Sequence, residues 1–150
     1  RGVLMNLQRW LQVPGVRLGA LVHVVVFVGL AAVWYALEPR SGGTRTADTG
    51  AMDLLAPVVF LLTASVVTLL AAGSSVLGAF AGYWAARTGS PVAGALAGLA
   101  LAALVAGLMA VLFPGGAAGL GAAWVGKMKW LVPPAVVAGL WVGLMEGKRA

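Results

Sequence analysis

The chain has 150 residues, 61% of them hydrophobic and only 9% charged, with a mean hydropathy of +1.00. A soluble domain of this size carries about 25% charged residues, because its surface is large relative to its core, so the composition suits lipid and excludes a water-facing globule. There are no cysteines, which excludes disulfides, thiolate metal sites and a thiol nucleophile. The formal net charge of +6 is spread over single or paired Lys and Arg with no basic, aromatic-laced face, which argues against nucleic acid and for membrane topology.

The pattern predicts an all-α integral membrane protein, a single membrane domain over 1–150 with four transmembrane helices and an N-terminal interfacial amphipathic helix. Over 1–16, Val3, Leu4, Leu7, Trp10 and Leu11 fall on one helical face while Arg1, Gln8, Arg9 and Gln12 fall elsewhere, the arrangement of a helix lying in the headgroup layer. Met5 reads as a candidate initiator. Pro14-Gly15 makes an elbow, and residues 18–37, free of charge, give a first span about 30 Å long. No small-residue cleavage site follows that run, so it reads as a span and not as a signal peptide. Residues 38–53, "EPRSGGTRTADTGAMD", form the polar loop. Residues 54–86 are apolar for about 50 Å, too long for one crossing and too short for two. They are expected as one long, tilted helix or one broken near "GSS" at 73–75, with Thr63, Ser65, Thr68, Ser74 and Ser75 bonding to backbone carbonyls or across to neighbours. "RTGSP" turns the chain into a third span at 91–113, opened by Pro91. Residues 114–129 read as a glycine-rich link with Trp124, Lys127 and Lys129 at the interface, and 130–146 as a short fourth span that opens with Pro133-Pro134.

Four spans place Arg1, Arg9, Arg17, Arg87, Lys148 and Arg149 on one side and Arg40, Arg45, Lys127 and Lys129 on the other. The bias favours cytoplasmic termini in a multi-pass protein of the bacterial inner membrane. The four carboxylates, Glu38, Asp48, Asp53 and Glu146, fall at or outside the span ends. Proton-coupled transporters keep ionisable groups near mid-membrane; small four-helix multidrug exporters, for instance, use a carboxylate in the first helix, and none stands there. One histidine cannot build a hydrolytic metal centre, and no "GxSxG" is present for a serine nucleophile. These absences predict that the chain is not an enzyme.

Small residues recur every four positions on three spans: Ser74, Gly78, Gly82 and Ala86; then Gly94, Gly98, Ala102, Ala106 and Ala110; then Ala135, Gly139, Gly143 and Gly147. Such stripes let helix backbones approach closely in lipid, although glycine and alanine are abundant enough here to produce part of the pattern. Residues 78–104, with "AGYWAARTG" running into "GALAGLA", resemble the glycine-rich helical hairpin of small polytopic bacterial membrane proteins of unknown function. That resemblance implies a tight hairpin and no activity. On it rests the expectation that Gly78 or Gly82 meets Gly94 or Gly98 at the closest approach.

His23 is the one histidine, five residues inside the first span, with Gly19 and Ala20 leaving room beside its ring. Three roles are open: a neutral residue hydrogen-bonded to a neighbouring helix, a ligand to haem or (bacterio)chlorophyll, or a contact to a lipid or quinone headgroup. Packing is the favoured one, and no cofactor is expected. Its spacing of eleven residues from Trp34 is similar to the light-harvesting polypeptides of purple bacteria, where the histidine ligates bacteriochlorophyll; those chains have one span and this one has four. The favoured function is a structural accessory subunit of a respiratory or photosynthetic membrane complex, with other integral membrane subunits and lipids as partners. A homo-oligomeric channel or small-solute transporter is the alternative, and a pigment- or haem-binding subunit through His23 the second.

Overall fold

The computed structural model describes residues 2–37, 49–113 and 119–148. These hold five helices: α1 (Gly2–Leu11), α2 (Val16–Leu37), α3 (Thr49–Thr88), α4 (Pro91–Leu112) and α5 (Gly119–Gly147). No strand occurs among the described residues. Four of the helices, α2, α3, α4 and α5, are long and apolar enough to cross a membrane, so the chain is a multi-pass, all-helical membrane protein. Most of the polar loop, 38–48, and the start of the glycine-rich link, 114–118, lie outside the described residues, as do Arg1, Arg149 and Ala150.

α1 is exposed along its whole length and, of the described helices, touches only α2. Its last turn closes with Gln12 N–H to Arg9 O and Val13 N–H to Trp10 O, the tightened bonding typical of a helix end. Gly15, at φ +83°, then turns the chain, a conformation open to glycine at no steric cost. The amphipathic helix therefore ends at Leu11, ahead of the elbow.

α3 runs without a break through 73–75. A break facing lipid would leave backbone groups without partners, and here the serines reinforce the ladder: Ser74 Oγ–H and Ser75 Oγ–H donate to the carbonyls of Ala71 and Ala72. Thr63, Ser65 and Thr68 likewise donate to Val59, Leu61 and Ala64. α3 also begins earlier than expected, since 49–53 are helical and not loop. At its other end Gly89, at φ +64°, turns the chain into Ser90, whose Oγ accepts from Ala93 N–H as the α4 cap, with Pro91 opening α4.

The largest correction concerns the fourth span. α5 starts at Gly119, so 119–129 are helix and not link, and Pro133 and Pro134 lie inside the helix and do not open it. Glycines weaken a helix in water by about 1 kcal/mol each, but at membrane depth an irregular chain costs more, because its amides go unpaired. Prolines are tolerated there for the same reason when neighbours pack on them, and Pro134 is fully buried. Lys127 and Lys129 consequently belong to the spanning helix. Lys127 Nζ reaches the carbonyl of Phe113 at the end of α4 (3.1 Å), directing its charge away from the apolar interior.

α3 and α5 form the centre of the bundle: each packs on the other and on both α2 and α4, whereas α2 and α4 do not touch. A small core of Leu77, Ala102, Ala106, Leu131 and Ala135 sits where α3, α4 and α5 meet. Most other large apolar side chains face outward, as expected where lipid is the solvent.

Candidate functional site

α2 buries one face, Val16, Gly19, His23 and Phe27, and this face lies along α3. Gly15, Gly19 and His23 stand opposite Gly82, Gly78 and Ser74 in a single antiparallel register. A Cβ on Gly78 would collide with the carbonyl of Gly19 and the Cβ of His23, and one on Gly82 with the carbonyl of Gly15. Ala86 closes the row against Gly15. The space beside the histidine ring, which Gly19 leaves open in sequence, is thus occupied by the backbone of α3.

His23 is completely buried, and of the two partner types expected on a neighbouring helix, a backbone carbonyl or a hydroxyl, it meets a hydroxyl, that of Ser74 (Nε2···Oγ 3.0 Å). Because Ser74 Oγ–H is directed to the Ala71 carbonyl, the same oxygen accepts from His23, which fixes the ring as the Nε2–H tautomer. Nδ1 then carries a lone pair, and it has no hydrogen-bond partner among the described residues. The opposite tautomer would bury an N–H donor without an acceptor, the rarer arrangement in protein interiors. Ser74 lies about 14 residues, or about 21 Å, from the α3 end at Thr88. The pair is therefore deep in the bundle, much farther from its end than the start of α2 alone implies.

A chain of aromatic rings continues from the histidine. His23 stacks on Phe27 (centroids 6.3 Å, 12°), Phe27 tilts against Trp130 (6.3 Å), and Trp34 meets Trp130 edge-on (5.8 Å). Two of these contacts join α2 to α5, in geometries that add about 0.5–1.5 kcal/mol each beyond buried area.

The second seam joins α4 to α5. Gly94, Gly98, Ala102, Ala106 and Ala110 are all buried, and every member lies on the predicted stripe. Cβ atoms on Gly94 and Gly98 would strike the carbonyls of Gly139 and Ala135, and one on Gly143 would strike Pro91. Gly139 in turn packs on the Gly94 backbone. Hence Gly78 and Gly82 do not meet Gly94 and Gly98. The glycines of α3 turn to α2 and those of α4 turn to α5, while between α3 and α4 the contacts are alanines, Ala81 and Ala85 against Gly94 and Gly98. α3 thus has two adjacent small-residue faces. The partner stripe, Gly15 just ahead of α2 and Gly19 within it, has the same spacing of four and was legible; reading Gly15 only as an elbow concealed it.

Two further regions complete the surface. At the end where the chain enters, an open groove is lined by Val13, Pro14, Tyr83, Ala86 and Arg87. Arg87 donates to the Tyr83 hydroxyl and lies 5.9 Å over its ring. At the opposite end, residues 55–70 of α3 include no buried side chain, and Tyr35 with Leu55, Val59, Phe60 and Thr63 borders a shallow groove there. No group of three or more His, Cys, Asp or Glu that could hold a metal occurs among the described residues. Comparison with protein-family models, with curated proteins and with solved structures finds no match to this chain.

Proposed function

We propose that the chain is a structural accessory subunit of a larger complex, of respiratory or photosynthetic type, in a bacterial inner membrane, with both termini cytoplasmic. The observation that carries this reading is the exposed half of α3. The apolar helix Leu55–Thr88 has 34 residues, about 51 Å. Even at a tilt of about 40°, the top of the usual range, it projects about 39 Å against a hydrocarbon core of about 30 Å. Tyr83, Trp84 and Arg87 suit one interface, so the excess falls at the start of α3. There the register sets Leu37, the last residue of α2, beside residue 60, and Leu55, Val58 and Val59 stand exposed beyond it. Lipid cannot cover that length of apolar helix, and a neighbouring subunit can.

Burial of His23 favours packing over cofactor ligation, because α3 occupies the position from which a macrocycle would approach the ring. Purification of the tagged chain in mild detergent tests the proposal. Large, different membrane subunits should co-purify. A symmetric homo-oligomer would favour the channel reading, and a visible absorption band lost in His23→Gln would favour the pigment reading.

A further inference from the structure

The geometry points to a binding site for the phosphate headgroup of an anionic glycerophospholipid in the groove between the α1–α2 elbow and the end of α3. The site does not depend on the accessory-subunit reading. Its floor is preformed. Gly15, in its left-handed turn, sits so close to Gly82 and Ala86 that a Cβ would collide with both, which holds Val13 and Pro14 beside Tyr83, Ala86 and Arg87.

Arg87 is the anion-binding group. The Tyr83 hydroxyl takes one of its five N–H donors, so one end of the fork is held and further donors remain for a phosphodiester. Arg17, exposed on α2, stands in register with Phe80, about 10 Å nearer the membrane centre. Arg9 and Lys148 stand at the same end of the bundle, together with the carboxylate of Glu146.

The level of the groove follows independently from α1. Val3 and Leu4 of its apolar face are 82% and 69% exposed, so none of the described residues covers that face, and such a helix lies at the boundary of headgroups and acyl chains. α1 leads directly into Val13 and Pro14. The phosphate layer therefore passes over Arg87, where zwitterionic lipid offers no net charge and anionic lipid does.

Native mass spectrometry of the purified full chain tests this, with dioleoylphosphatidylglycerol, dioleoylphosphatidylcholine and glycerol 3-phosphate as probes. Wild type should retain phosphatidylglycerol in preference to phosphatidylcholine. Arg87→Gln should cut phosphatidylglycerol retention about fivefold, the effect of one basic residue at an anionic surface, and leave phosphatidylcholine unchanged. Lys129→Gln, toward the other end of α5, should change neither. If Arg87→Gln does not fold, Tyr83→Phe removes the brace and keeps the ring, and it should give a smaller loss of the same selectivity. Equal retention of both lipids by wild type, an equal loss in Lys129→Gln, or no loss in either site variant would overturn the assignment. Competition by glycerol 3-phosphate at the same concentration as lipid would overturn it too, by making the ligand a soluble phosphate.

Discussion

At His23 the two ring nitrogens have different fates: Nε2–H donates to Ser74 and Nδ1 is buried without a partner. His23→Gln retains a donor for Ser74 and should be tolerated. His23→Leu removes the only side-chain hydrogen bond between α2 and α3 among the described residues, and should cost about 0.6–2 kcal/mol, the range for polar contacts between membrane helices. Thermal unfolding of the two variants in detergent separates these outcomes; equal destabilisation would mean that the ring's shape matters and its hydrogen bond does not. Glycines offer a sharper comparison. Gly78→Ala should be destabilising, because the new Cβ meets the Gly19 carbonyl, whereas Gly73→Ala meets nothing within 4 Å and should stabilise by about 0.5–1 kcal/mol through helix propensity. That the imidazole would hydrogen-bond a carbonyl or hydroxyl on a neighbouring helix was legible in the sequence. Ser74 as its partner was not, since the two residues are 51 apart in the chain and only the packing register brings them together.

Helix partnering is where sequence and structure diverge most. The stripe on α4 reads directly, all five residues buried, yet a stripe does not say which helix it faces. Short turns invite pairing of sequence neighbours, but α3 presents glycines to α2 and alanines to α4. The consequence is measurable as additivity. Gly82→Ala and Gly98→Ala lie in separate seams, so their stability losses should add within about 0.5 kcal/mol, whereas Gly98→Ala and Gly139→Ala share one seam and should couple by more. Strong coupling of the first pair would restore the direct hairpin contact. The boundaries of α3 and α5 escaped the sequence for a related reason. Gly119, Gly121, Gly126 and the two prolines signal loop in water, and membrane depth reverses that preference because an unpaired amide has no solvent there. Trp124 illustrates the result: its indole N–H donates to the Ala103 carbonyl of α4 (3.0 Å), a contact an interfacial loop would not make.

Hydropathy alone gave four crossings, and the structure has four helices able to make them; arrangement around the central α3–α5 pair came only from packing. The cysteine-free chain makes topology simple to test. Single cysteines at Gly2 and Phe113 should label from opposite sides of the membrane, with Gly2 on the cytoplasmic side, as the distribution of Arg and Lys favours. The larger issue is what covers the start of α3. From Leu55 to Leu70 it buries no side chain, and the outer face of α4 is likewise exposed at Leu104 and Leu108, but the two differ in depth: Leu104 lies within a helix of 22 residues that matches the bilayer, and Val59 stands near and beyond the end of α2. Site-specific photo-crosslinking in intact membranes distinguishes a protein neighbour from lipid at each position. A photoreactive residue at Val59 should give a covalent adduct with a different membrane protein, and one at Leu104 should give none. Adducts at Val59 only with lipid, or only with a second copy of this chain, would contradict the accessory-subunit reading.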